Sequence, residues 1–201
     1  MKKFLAIIVL GLFLITPSQA DDIRDLQIEG MSVGDSLLDY FSKKEIIKEK
    51  LKPKNIKMYA HKKDKTFAQV GFYSSDGHVF NTYKYLQIMV KNNDKNYIIH
   101  GISGKIFEDY DKNIETCYER EDKAIKEFKE EFTNTEFQST EIKKHTADKS
   151  GKSTVRQAGF FFKNDDIISV ECYYWHKGFY KNNFKITVAK EELNRWWYSD
   201  N

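Results

Sequence analysis

The stretch Ile114–Phe132 reads IETCYEREDKAIKEFKEEF, and its spacing decides the fold class. The apolar residues recur three or four positions apart, which places them on one stripe of an α-helix. Charges of both signs occupy the remaining surface, where they can pair one helical turn apart. Cys117 belongs to the apolar stripe. The pattern therefore predicts one long amphipathic helix whose buried side, including Cys117, faces a core.

Segments on both sides of this helix are rich in aromatic and β-branched residues, and short polar clusters separate them. The predicted strands are Met58–His61, Phe67–Tyr73, Tyr83–Val90, Tyr97–Phe107, Thr154–Phe162, Ile167–Trp175 and Phe184–Ala189. Short links of this kind favour antiparallel neighbours. A capping box at Ser42 begins a shorter helix that Pro53 should end, and Leu193 lies in another near the carboxyl end. We predict an α+β fold in which antiparallel β-sheet portions pack against one long central helix, with short terminal helices.

The chain has two cysteines, Cys117 and Cys172. Cys172 shares a strand face with Ile168 and Val170, because side chains alternate along a strand. Both cysteines thus point inward, one by helical and one by strand periodicity. An even pair in an oxidising compartment usually forms a disulfide. We predict a bridge between them, and the alternative is two buried free thiols.

The first twenty residues have the pattern of a cleaved secretory leader. Lys2 and Lys3 precede an apolar run, and the segment ends in Ser18-Gln19-Ala20 with small residues at the cleavage positions. The apolar run is shorter than the roughly 20 residues that span a bilayer. The sequence therefore predicts a signal peptide over residues 1–20, one α+β domain over residues 21–201, and no membrane span in the mature chain.

The charge balance excludes some classes of partner. The chain carries 33 basic and 30 acidic residues, and loss of Lys2 and Lys3 with the leader would leave 31 against 30. Because the signs are mixed and no polybasic block occurs, nucleic acid is not expected as a partner. No histidine or cysteine spacing fits a metal site, and no cofactor motif is complete. We therefore expect no cofactor and no metal.

One short motif points to an enzyme. Gly34–Leu37 spells GDSL, the signature of a class of exported esterases in which the serine, here Ser36, is the nucleophile. Such a serine needs a histidine base that an aspartate three residues earlier orients. None of the five histidines has an aspartate at that position. A helix-capping serine is the competing interpretation of Ser36.

Aromatic residues are concentrated near the end of the Ile167–Trp175 segment. Tyr173, Trp175, Phe179 and Phe184 lie there beside asparagine and lysine side chains. An aromatic surface with amides nearby could stack a sugar or hold a peptide. The alternative is the ordinary buried face of a sheet in a tyrosine-rich chain.

Four segments carry a resemblance to other proteins: Glu29–Phe41, Thr116–Tyr118, Asp148–Val155 and Val170–Trp175. Together they resemble a group of uncharacterised short exported proteins from streamlined marine alphaproteobacteria. The resemblance implies one domain that spans both cysteines, and it implies no activity.

These observations favour a periplasmic or secreted, non-enzymatic protein that binds an envelope component or a small ligand. The alternative is a GDSL-type serine esterase that uses Ser36.

The leader gives a direct prediction about the mature protein. Because the cleavage pattern ends at Ala20, the protein recovered from the envelope or medium of its source cells should begin at Asp21. N-terminal sequencing of that protein checks the expectation. A recovered chain that still begins at Met1 and sediments with membranes would contradict it.

Overall fold

The structure is a computed structural model that describes residues 22–107, 110, 113–176 and 180–199. The leader predicted over residues 1–20 lies outside these ranges. Within them the chain forms an eight-stranded antiparallel sheet and four α-helices, so the mixed α+β class is observed.

The bounds of the elements are close to those predicted for most segments. The strands are β1 Phe67–Tyr73, β2 Tyr85–Lys91, β3 Ile99–Ile106, β4 Glu136–Ser139, β5 Lys143–Lys144, β6 Thr154–Phe161, β7 Ile167–Tyr174 and β8 Asn183–Ala189. The helices are α1 Lys43–Lys50, α2 Pro53–Met58, α3 Glu115–Glu131 and α4 Glu191–Tyr198. In the described part of the chain, no helix combines the length and the hydrophobicity that crossing a membrane requires.

Two three-stranded meanders meet in the middle of the sheet. The strand order is β1-β2-β3-β8-β7-β6-β4, with β5 beside β6. The final strand β8 inserts between β3 and β7, and its pairing with β3 runs from Gly101 opposite Ala189 to Ile106 opposite Phe184. The portions of sheet expected from the sequence are therefore one continuous sheet.

One face of the sheet is apolar and carries the main core. Helix α3 lies over β7 and β8, with Cys117, Ala124 and Phe128 buried beneath it. Over β1 to β3 the same core continues with residues of the amino-terminal segment such as Leu37 and Ile46. Because α3 has 17 residues and shares this face with that segment, the structure does not show one long central helix.

A disulfide joins α3 to the sheet. The Sγ atoms of Cys117 and Cys172 are 2.06 Å apart and their Cα atoms are 6.0 Å apart. Both residues are fully buried, as the helical and strand periodicities predicted. The bridge therefore fixes α3 to β7 inside the core.

Two local predictions differ from the structure. The strand expected over Met58–His61 is wrong, because helix α2 extends to Met58. Pro53 does not simply end α1 but is the first residue of α2, a position where its fixed φ and missing N–H are harmless.

Strands β4 and β5 were not expected, because they are short and largely exposed and lack an apolar alternation. Pairing with β6 forms them.

Helix α4 packs on the opposite face of the sheet. Leu193, which the sequence placed in this helix, and Trp196 are buried against Met89 and Ala189. Gly101 permits this approach, because a Cβ atom there would collide with Leu193. The carboxyl-terminal helix thus covers one end of a face that the core leaves uncovered.

The disulfide should contribute strongly to stability. It closes a loop across 55 positions, and the chain-entropy argument gives about 4 kcal/mol for a loop of this size. Reduction should lower the urea midpoint of unfolding accordingly. A Cys117→Ala, Cys172→Ala double variant should match the reduced protein and ignore reductant. Equal midpoints for the oxidised and reduced protein would contradict the prediction.

Candidate functional site

The second face of the sheet is polar at its centre. Strand register places Gln87, Ser103, Thr187 and Ser169 in one row across four strands. The next row contains Tyr85, Lys105, Lys185 and Glu171. We call these eight residues, together with Tyr173, the polar face. Most of them are buried despite their polarity, which is unusual for the outer side of a sheet.

Two walls border the polar face. At one end α4 and the adjoining row of the sheet form an apolar cluster that includes Met89, Ile167 and Trp196. At the β1 edge the segment after α2 reaches over, so that the Gln87 amide donates to the hydroxyl of Tyr59 at 3.2 Å. The polar face is therefore bordered by apolar and aromatic side chains, and small-molecule sites commonly combine such surroundings with a few polar groups.

A buried ion pair occupies one half of the floor. Glu171 pairs with Lys185 and accepts hydrogen bonds from Tyr173 at 2.7 Å and from Ser169 at 3.1 Å. Burial acts to raise the pKa of Glu171, but the Lys185 charge and these hydrogen bonds outweigh it and lower that pKa. Burial opposes the charge on Lys185 as well, and Glu171 nevertheless raises the pKa of Lys185. Both groups are therefore charged, and each satisfies the other.

Lys105 stands directly opposite Lys185 across the β3–β8 pairing. Within the described residues its Nζ has no hydrogen-bond or ion-pair partner, and it lies 5.4 Å from the centre of the Tyr85 ring. Burial and the charge of Lys185 lower the pKa of Lys105 to about 7, while Glu171 opposes the shift. Lysines with a strongly perturbed pKa are typical of binding and catalytic sites.

Tyrosines and amides form the other half of the floor. The side-chain amide of Gln69 donates to Asn55 and to the Tyr85 hydroxyl, both at 2.8 Å. The ring of Tyr85 stacks on Tyr73 with centroids 4.0 Å apart. Gly71 makes this possible, because a Cβ atom there would lie 2.6 Å from the Asn55 and Tyr85 oxygens. Burial raises the pKa of Tyr85, so its hydroxyl stays neutral.

The aromatic cluster expected from the sequence is only partly assembled. Tyr173 and Trp175 are parallel with ring centroids 5.7 Å apart, and His145 lies 4.4 Å from Trp175. Phe184 does not join them, because it pairs with Cys172 and points into the core on the opposite face. Phe179 lies outside the described residues. The prediction grouped residues that are near in sequence, whereas strand alternation separates them.

Ser36 occupies a turn at the start of a short helix. Its hydroxyl accepts from the N–H of Leu38 at 3.2 Å, and donates to the carbonyl of Asn96 at 2.7 Å. The helix-capping interpretation describes this geometry. Among the described residues, no histidine forms a hydrogen bond to Ser36, so the esterase hypothesis gains no support from its surroundings.

A groove of about 480 Å³ lies elsewhere, beside the start of α4. Its lining includes Asp22, Arg24, Asp166 and Lys190. Asp22 and Arg24 pair with each other at 2.8 Å, and Asp166 caps the N–H of Glu191 at 2.7 Å. Asp22, Arg24 and Asp166 thus make structural contacts, and the groove is open to solvent. We therefore regard the polar face, and not this groove, as the candidate site.

Sequence reasoning missed the central residues of the polar face. The alternation around Ser103 and Lys105 was visible, because apolar and polar residues alternate along β3. Such alternation ordinarily indicates a solvent-facing side. The polar face has borders because α4 and the segment after α2 pack against that side of the sheet. The alternation along β3 does not predict this packing. In the described ranges no cluster of three histidine, cysteine or acidic side chains could hold a metal ion.

Comparisons with known proteins give no further guide: no family model, no curated protein and no solved structure matches the chain.

Proposed function

We propose that the chain is an exported, non-enzymatic protein, periplasmic or secreted, that binds a small polar ligand on the polar face. Of the two partners expected from the sequence, an envelope component or a small ligand, this proposal takes the second. Membership of the marine alphaproteobacterial group that the sequence resembles stays a proposal as well.

One observation carries the binding function. The polar face holds a partly buried Lys105 whose Nζ has no hydrogen-bond or ion-pair partner in the described part of the chain, beside hydroxyl and amide groups that are paired. A partly buried ammonium loses some of its hydration, and without a hydrogen-bonding or charged partner that loss costs stability. A ligand that supplies the missing contacts would offset that cost.

Two features support export. The leader pattern of residues 1–20 directs a chain out of the cytoplasm. The cysteine pair at bonding distance suits an oxidising compartment, since disulfides are rare where thiols are kept reduced. The esterase alternative rests on the motif around Ser36 alone.

Thermal unfolding in the presence of small polar molecules tests the proposal. We expect one or more members of a panel of carboxylic acids, amides, amino acids and sugars to stabilise the processed protein. At about a hundredfold excess over the dissociation constant, such a ligand should raise Tm by roughly 5–10 °C. Thr187→Val should remove most of this shift, because it deletes a hydroxyl of the polar face.

The exposed Thr146→Val in the loop before β6 is the matched control and should respond as the wild type does. Stabilisation that survives intact in Thr187→Val would argue against binding at the polar face. Hydrolysis of p-nitrophenyl acetate that disappears in Ser36→Ala would instead support the esterase alternative.

A further inference from the structure

The charges on the polar face do not balance. Lys185 is neutralised by Glu171, and burial raises the pKa of Tyr85 and of Tyr173, so that both phenols are uncharged. Among the described residues of the face, protonated Lys105 therefore leaves one uncompensated positive charge. Because Glu171 is already held by Lys185, Ser169 and Tyr173, it does not call for a cation on the ligand.

A hydroxyl donor lies in the row beside this charge. The oxygens of Ser103 and Thr187 are 2.9 Å apart, so one hydroxyl donates to the other. Each hydroxyl has one proton, and the pair therefore retains one proton that can be given to a third group. Ser103 lies two residues before Lys105 on the same face of β3.

We propose, on the basis of the binding function above, that the ligand carries a single carboxylate, which the Lys105 ammonium and the Ser103–Thr187 hydroxyl pair hold together. A monoanion matches the one uncompensated charge, and charge-assisted hydrogen bonds are the strong ones in such sites. A phosphate dianion would leave a second charge unpaired in a partly buried place, which is costly.

The surroundings of Lys105 indicate an apolar or aromatic body behind the carboxylate. The Tyr85 ring lies beside Nζ, and the cluster around Trp196 and Met89 borders the next row of the sheet. Benzoate is therefore a suitable probe. Benzamide has the same shape without the charge and provides the neutral comparison.

Nuclear magnetic resonance of the processed protein with ¹³C-labelled lysine side chains tests the proposal. At slightly acidic pH, benzoate should shift the Lys105 Cε signal saturably and benzamide should not. Lys105→Gln, which also assigns the signal, should weaken benzoate binding by roughly ten- to a hundredfold, the range of a charge-assisted hydrogen bond. Lys149→Gln, at an exposed position in the loop before β6, is the matched control and should bind benzoate normally.

Each other outcome has a distinct meaning. Equal binding of benzoate and benzamide at the polar face would overturn the carboxylate assignment and leave the binding function standing. Backbone shifts confined to other surfaces would overturn both the carboxylate assignment and the binding function of the polar face. Tighter binding of inorganic phosphate than of benzoate, or no binding of benzoate, would also overturn the assignment. Lys105→Met serves as a second variant if Lys105→Gln does not fold.

Discussion

The pairing of β3 with β8 is the interaction on which the rest of the structure depends. It joins two meanders that are separated along the chain by α3 and by the two edge strands β4 and β5. Its register also fixes which side chains face which way, because a shift of one residue would exchange the two faces. In the observed register Ile102 and Val188 enter the core, while Lys105 and Lys185 meet on the opposite side.

The two faces of the sheet bury different kinds of side chain. The apolar face buries the disulfide and the aromatic side chains beneath α3, and it supplies most of the hydrophobic stabilisation. The polar face contains groups that are expensive to bury, and most of them are satisfied by one another. Within the described ranges, the Lys105 ammonium has no hydrogen-bond or ion-pair partner. A local violation of this kind, in an otherwise consistent sheet, is typical of a functional site.

Much of the fold could be predicted from the sequence, because local periodicity determines it. The stripe of α3, the strand from Phe67 to Tyr73 and the inward direction of both cysteines follow from spacing alone. The insertion of β8 beside β3 could not be predicted, because these strands are distant in sequence and no local pattern encodes their pairing. Which of the predicted aromatic residues share a face could not be read from the sequence for the same reason. Tyr173 and Phe184 are near in sequence, but the pairing of β7 with β8 places them on opposite faces.

The central claim is that Lys105 on the polar face has no ion-pair partner among the residues that the structure describes. The titration of that side chain tests the claim most directly. The pKa of Lys105 can be followed through the chemical shift of its Cε atom. Burial and Lys185 should give a pKa of about 7, so the group should lose its proton well below the usual value for lysine, 10.5. Since the unfolded chain then binds the proton more tightly, unfolding free energy should also rise as pH increases between these two values. A Lys105 pKa near the usual value would contradict the account.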